Sequence, residues 1–126
     1  MRNVVVLADD ESLVRMFLAE ELSEQGYEVI EAATGEEALA SLEKVQAACL
    51  VTDIEMGTPL DGIRLMQIAN ARWPSLAIVV MSGRRRAPEL AHNTVFLAKP
   101  FKASELIDVI QGGAMCELPM SSTRRK

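Results

Sequence analysis

Four charged side chains, Asp9, Asp10, Asp53 and Lys99, stand at the ends of apolar runs, and together they could handle a phosphoryl group. Val4 to Ala8 leads into Asp9 and Asp10, Leu50 to Thr52 into Asp53, and Phe96 to Ala98 into Lys99 and Pro100. Short unbroken apolar runs of this kind predict strands covered on both faces. If the strands lie parallel in one sheet, their carboxyl ends sit side by side, so three carboxylates and one ammonium converge in a single crevice. Carboxylates packed that closely need a cation, and oxygen ligands suit magnesium. Asp53 is then free to attack a phosphoryl group, with Lys99 to hold the charge that arrives.

The elements that must position these groups alternate along the chain. Val4 to Ala8 is the first strand. Ser12 to Gln25 follows as an amphipathic helix, with Leu13, Val14, Phe17, Leu18 and Leu22 at helical spacing. Arg15, Glu20, Glu21 and Glu24 face outward, and Gly26 supplies the stop. Glu28 to Ala32 is a strand nearer an edge, because Glu28 and Glu31 surround Val29 and Ile30. Thr34, with Glu37 three residues on, predicts a reciprocally capped helix whose inner face is Ala38, Leu39 and Leu42.

Ala47 to Thr52 is the strand that enters Asp53, and the loop Ile54 to Leu60 holds Gly57 and Pro59 as turn residues. Asp61 caps a helix running to about Trp73, with Ile63, Met66, Ile68 and Ala69 as its apolar positions and Pro74 as its end. Leu76 to Met81 is a further buried strand, ending at Ser82 and Gly83. Arg84, Arg85, Arg86 and Pro88 leave room for only a turn or two of helix before the last strand, Val95 to Ala98. Ala103 to Gln111 is the last helix, with Leu106, Ile107 and Ile110 inward and Gly112 and Gly113 ending it. Such alternation predicts an α/β fold: a five-stranded parallel sheet, helices on both faces and right-handed crossovers. Topology alone then sets Asp9, Asp10, Asp53, Ser82 and Lys99 along one edge.

Composition bounds the function. At 126 residues the chain is one domain, large enough to bury its core without disulfide staples. With 4% aromatic residues the core is built from aliphatic side chains, and Met16, Met56, Met66 and Met81 are its gap fillers. A formal net charge of -5 argues against nucleic acid or an anionic membrane as the partner. No apolar stretch is long enough to span a bilayer, and Asp9, Asp10 and Glu11 cut short the first run, so no signal peptide is expected. Cys49 and Cys116 form no disulfide framework and fit a reducing cytoplasm.

In order and approximate spacing, Asp9 and Asp10 after the first strand, Asp53 after the third, Ser82 after the fourth and Lys99-Pro100-Phe101 after the fifth resemble the receiver domain of bacterial two-component response regulators. The resemblance runs from about Val4 to Ile110. It implies the flavodoxin-like strand order 2-1-3-4-5, which receivers themselves illustrate. It implies that Asp53 accepts a phosphoryl group from the phosphohistidine of a sensor histidine kinase or a histidine phosphotransfer protein, with Mg2+. Asp10 and Asp53 would ligate the ion, Asp9 would act through water, and the main-chain carbonyl of Glu55 would complete the protein ligands. Lys99 would pair with Asp53 at rest and with the phosphate afterwards. Ser82 would swing its hydroxyl to the phosphate, and Phe96 would change rotamer with it, resetting a surface made of Arg84 to Leu90, the last strand and the last helix. Such a protein is a signalling phosphoacceptor that catalyses only its own phosphorylation and dephosphorylation.

Departures from the family pattern are local. Gly57 stands where many receivers have proline, the loop from Asp53 to Asp61 is about one residue longer, and the segment from Ser82 to Lys99 is several residues short. The fourth helix is therefore expected to be short or distorted. Residues 1–113 are read as the receiver and 114–126 as a mobile tail too short for a helix-turn-helix, so the expectation is a stand-alone receiver. It would be a monomer or weak homodimer that signals to a downstream protein and not directly to nucleic acid or membrane.

Blander explanations exist for each residue. Asp9 and Asp10 could cap the first helix, Asp53 could be a turn residue and Lys99 a surface lysine; jointly these alternatives weaken. Ser82 before Gly83 is ordinary turn chemistry, Phe96 a core aromatic, and Arg84 to Arg86 a solvated loop. His92 lacks metal-ligand spacing. A haloacid dehalogenase type phosphohydrolase would need an Asp-x-Asp arrangement after the first strand, whereas Asp9 and Asp10 are adjacent. A flavodoxin would need a glycine- and hydroxyl-rich phosphate loop where Asp9-Asp10-Glu11 would repel phosphate. A degenerate receiver that binds partners without phosphorylation is disfavoured because every acidic and basic group is present.

Overall fold

Five strands form the centre of the protein: β1 (Val4–Ala8), β2 (Glu28–Ala32), β3 (Cys49–Asp53), β4 (Ala77–Ser82) and β5 (Thr94–Ala98). A computed structural model describes residues 3–57, 59–83 and 89–114. The strands pair in parallel in the order β2-β1-β3-β4-β5. β1, β3 and β4 are buried at every position, which is why their apolar residues run without alternation. β2 and β5 form the edges and are more exposed, as Glu28 and Glu31 predict for β2.

Helices α1 (Ser12–Glu24), α2 (Gly35–Lys44), α3 (Gly62–Arg72) and α4 (Ala103–Val109) cover the sheet. On one face Val5, Leu7, Val51 and Val79 pack with Leu18 and Leu22 of α1 and Leu106 of α4. On the other, Val6, Leu50, Ile78 and Val80 pack with Leu42 of α2 and Leu65, Met66 and Ala69 of α3. Thr34 caps α2 by accepting from the Glu37 amide at 3.0 Å, while the Glu37 carboxylate reaches back to the Ala33 amide at 2.7 Å, one residue short of a reciprocal box. Asp61 caps α3 through the Arg64 amide at 3.0 Å. Among the described residues no helix is long and apolar enough to cross a membrane.

Several expectations need correction. Helical spacing predicts Leu13, Val14 and Phe17 on the inner face of α1 and Met16 in the core, yet all four are exposed, Leu13 by 81%. The stripe that faces the sheet is Arg15, Leu18, Ala19 and Leu22, spaced i, i+3, i+4 and i+7. A charged first member hides that stripe, because Arg15 has partners beneath it. Met56, Met66 and Met81 are buried as expected. The last helix does not stop at Gly112 and Gly113; α4 passes into a π-helical turn, Ile110–Ala114, that includes both glycines. Among the described residues between β4 and β5, 89–93 contain no helix. The expectations for Arg84, Arg85, Arg86, Cys116 and the tail beyond 114 lie outside the described residues.

Gly62, the first residue of α3, lies against the carboxyl end of β3. A Cβ there would collide with the Asp53 carbonyl oxygen and the Ile54 Cα, both backbone, so only glycine lets the helix approach Asp53 this closely. The Gly62 amide donates to the Ile54 carbonyl at 3.0 Å. Gly62→Ala is therefore expected to destabilise the fold by about 1–3 kcal/mol, measured as a lower urea midpoint. An unchanged midpoint would show that α3 does not hold the end of β3.

Candidate functional site

Backbone pairing carries the charged side chains to one place. The ladder continues a residue beyond two strands: the Ile54 amide donates to Met81 at 2.9 Å, and the Lys99 amide donates to Ser82 at 2.8 Å. Asp53 and Lys99 are thereby registered on the same central strand, β4. On the other side of Asp53, the Asp9 amide donates to Ala32 at 3.1 Å, extending β1 towards β2. The sheet order reverses between β1 and β3, the crevice where ligands of such folds bind. The Lys99-Pro100 peptide bond is cis.

The side chains meet as the spacing predicts. Carboxylate oxygens of Asp9, Asp10 and Asp53 all lie within 4.8 Å of one another. Lys99 Nζ donates to Asp53 Oδ2 at 3.1 Å and stands 4.0 Å from Asp9 Oδ2. The second Asp53 oxygen, Oδ1, accepts from the Glu55 amide at 3.3 Å. Asp9 and Asp53 are buried, while Asp10 is open to solvent. Neither Asp9 nor Asp10 caps α1: its N-cap is Glu11, without a side-chain cap, and Asp9 Oδ1 accepts from the Glu11 amide at 2.9 Å.

Three carboxylates against one ammonium leave a formal excess of two negative charges in a largely buried crevice. Asp9 Oδ2 is fully buried and finds no hydrogen-bond donor among the described residues, Lys99 being too far. An all-oxygen donor set with an orphaned, buried carboxylate oxygen fits a hard divalent cation, with Asp9, Asp10 and Asp53 able to hold it.

Burial pushes the Asp9 carboxyl above the usual carboxylate range; the Glu11 amide and Lys99 oppose this and Asp53 adds to it. Burial raises Asp53 too, although the Lys99 hydrogen bond and charge and the Glu55 amide pull the other way. For Lys99 burial acts to lower the value, but the Asp53 hydrogen bond and the charges of Asp53, Asp9 and Glu11 outweigh it, so the ammonium is held above its ordinary range. All three shifts run toward protonation, the two carboxyls driven by burial and Lys99 by the carboxylates around it.

Ser82, at the end of β4, is fully buried, and its hydroxyl donates to Glu55 Oε2 at 3.1 Å. Phe96 lies on β5, half-buried against the face covered by α2 and α3. His92 is at the opposite end of the sheet, where its backbone carbonyl accepts from Asn70 at 2.7 Å. Gly57 has φ of 63°, a left-handed conformation closed to the proline common at this position in receivers. Arg15, expected to face outward, instead turns to the site: its guanidinium donates to the Asp9 carbonyl at 2.8 Å and to Glu31 at 2.9 Å, anchoring the acidic loop to β2. The signal available was its i, i+3, i+4, i+7 phase with Leu18, Ala19 and Leu22.

Comparison with known proteins decides the family: the response regulator receiver domain matches residues 5–111. The chain is a response regulator receiver domain. As such it is a signalling phosphoacceptor rather than an enzyme with a separate substrate. Among curated relatives, the transcriptional regulatory protein PdtaR of Mycobacterium tuberculosis is 36% identical over 112 residues, covering 85% of this receiver and 54% of PdtaR. The response regulator receiver protein CpdR of Brucella abortus is 30% identical, covering 85% of this receiver and 92% of CpdR. The receiver thus spans about half the length of PdtaR and nearly all of CpdR. Among solved structures, TrrA of Thermotoga maritima in complex with Mg2+ and BeF superposes with a TM-score of 0.77 at 27% identity, covering 88% of this receiver and 97% of TrrA.

The raised carboxyl values have a definite sign. A folded state that binds a proton more tightly than the unfolded chain loses stability as pH rises from the ordinary carboxylate value through the raised one. Lys99 has the same sign at higher pH: its contribution is complete below the ordinary lysine value and is lost as pH rises through its raised one. Asp9→Asn is accordingly expected to stabilise chelator-treated protein at neutral pH by about 1–3 kcal/mol, the cost of an unsatisfied buried polar group. The gain should shrink as pH falls into the carboxylate range. A thermal melt of the variant below that of the parent at neutral pH would contradict the charge excess.

Proposed function

We propose that Asp53 takes the phosphoryl group of a phosphohistidine, carried by a histidine kinase or a histidine phosphotransfer protein, in a Mg2+-dependent reaction. The observation that carries the reading is one carboxylate shared between an acidic pair and a lysine: Asp53 has Lys99 at 3.1 Å and the oxygens of Asp9 and Asp10 within 4.8 Å. The TrrA complex with Mg2+ and BeF supports the same assignment by analogy.

An Asp53 carboxylate oxygen forms the new bond to phosphorus as the phosphorus–nitrogen bond breaks, and the imidazole nitrogen leaves with that electron pair. Lys99, already hydrogen-bonded to Oδ2, neutralises the arriving charge and can follow the phosphate oxygens on its flexible stem. Asp10 and Asp53 would ligate magnesium directly, Asp9 through water, and Glu55 through its main-chain carbonyl. When bound, the ion supplies charge neutralisation and orientation of the transferred group. Ser82 then donates its hydroxyl to a phosphate oxygen, and Phe96 repacks on β5, so that a protein-binding surface changes population.

The exposed apolar stripe Leu13, Val14, Met16 and Phe17 fits the phosphohistidine donor. It begins two residues beyond Glu11, on the rim of the crevice that the donor imidazole must enter, and its i, i+3 and i+4 spacing makes one continuous patch. Residues 1–113 would constitute the receiver unit, acting in the cytoplasm as a monomer or weak homodimer. The net charge of -5 favours a protein over nucleic acid as the downstream target.

Incubation with a small phosphodonor and magnesium should add one phosphoryl group to the parent by intact mass and none to Asp53→Asn. Uptake by the variant, or none by the parent, would overturn the assignment. Leu13→Ala and Phe17→Ala should slow transfer from a cognate phosphohistidine protein about tenfold. Uptake from the small donor, which needs no docking, should keep its rate; equal slowing of both reactions would remove the docking role of α1.

A further inference from the structure

Glu55 touches both working parts of the site. Its amide donates to Asp53 Oδ1 at 3.3 Å, and its carboxylate accepts from the Ser82 hydroxyl, 3.1 Å to Oε2 and 3.4 Å to Oε1. Ser82 is fully buried whereas Glu55 is exposed, so the Glu55 side chain closes over the hydroxyl from the solvent side. A buried hydroxyl needs an acceptor, and a bond to a carboxylate is stronger than one to a neutral oxygen. We propose that the Glu55 carboxylate is a positioning residue that holds the Ser82 hydroxyl in its resting orientation and must be displaced before that hydroxyl can serve the phosphoryl group.

The inference rests on the assignment of Asp53 as acceptor and Ser82 as switch. A serine hydroxyl carries one hydrogen, so its donation to Glu55 and its donation to a phosphate oxygen exclude one another. Any free energy held in the Ser82–Glu55 bond is subtracted from the differential affinity of the phosphoryl group for the switched state. The incoming anion also meets the Glu55 charge itself. Glu55 would thus tune how far phosphorylation shifts the surface, in addition to whatever its main-chain carbonyl contributes.

Affinity for beryllofluoride at saturating magnesium, titrated by NMR at the Gly83 amide, separates these effects. Glu55→Ala removes acceptor and charge; Glu55→Gln removes the charge but keeps an acceptor oxygen. The latch predicts that Glu55→Ala tightens binding about tenfold when Ser82 is present, Glu55→Gln tightening it less. In the Ser82→Ala background most of that gain should vanish. Equal tightening by Glu55→Ala in both backgrounds would mean that Glu55 acts by charge alone, and no tightening would mean that it restrains nothing; either overturns the latch while leaving Asp53 as acceptor. A parent that binds no beryllofluoride with magnesium overturns the acceptor assignment and the latch with it. Glu55 is exposed, so the variants should fold, which retained thermal melts would verify.

Discussion

The receiver is organised around a charge imbalance that its fold enforces. Three aspartates and a lysine are brought to the mouth of a parallel sheet, and two of the carboxylates are buried there. Asp9 Oδ2 is buried with no donor among the described residues, and Lys99 stands too far to donate to it, so the site stores unfavourable electrostatic free energy that a divalent cation can relieve. The same imbalance keeps Lys99 protonated and turned toward Asp53, where an anion will arrive. Local destabilisation and chemical readiness are in this sense one property.

Rigid backbone makes the imbalance sustainable. Asp53 and Lys99 are fixed by amides that extend the ladder onto β4, and the acidic loop after β1 is tied to β2 both by the Asp9 amide on Ala32 and by Arg15 bridging Asp9 to Glu31. Gly62 lets α3 seat against the Asp53 backbone from the other face. Repulsion among the carboxylates could otherwise be relaxed by a small retreat of any one loop. Each anchor removes one such retreat.

The sheet and the chemistry at its edge could be read from the sequence because strands buried on both faces are contiguous apolar runs, and each run stops where a charge begins. The spacing of Asp9, Asp10, Asp53 and Lys99 therefore carried their convergence. The helix packing was less readable. α1 offers two apolar stripes, and the more hydrophobic one, through Leu13 and Phe17, faces solvent while the one that begins with Arg15 faces the sheet. Periodicity alone cannot rank two stripes; what decides is that Arg15 finds Asp9 and Glu31, partners distant in sequence. The Ser82 contact with Glu55 was similarly out of reach, since it joins the end of β4 to the loop after β3, 27 residues apart in sequence.

The misread stripe and the missed contact lie on the same rim, and physical reasons connect them. Groups that serve a reaction partner cannot also be satisfied inside the resting protein to the degree that core groups are. On the proposed function, Leu13 and Phe17 are open where a donor domain would cover them, and Ser82 is held by an exposed carboxylate that a phosphate oxygen would replace. Local rules of sequence reading assume that apolar residues go inward and hydroxyls pair within turns. They fail here at positions whose proposed partners, and not the resting protein, would complete the contacts.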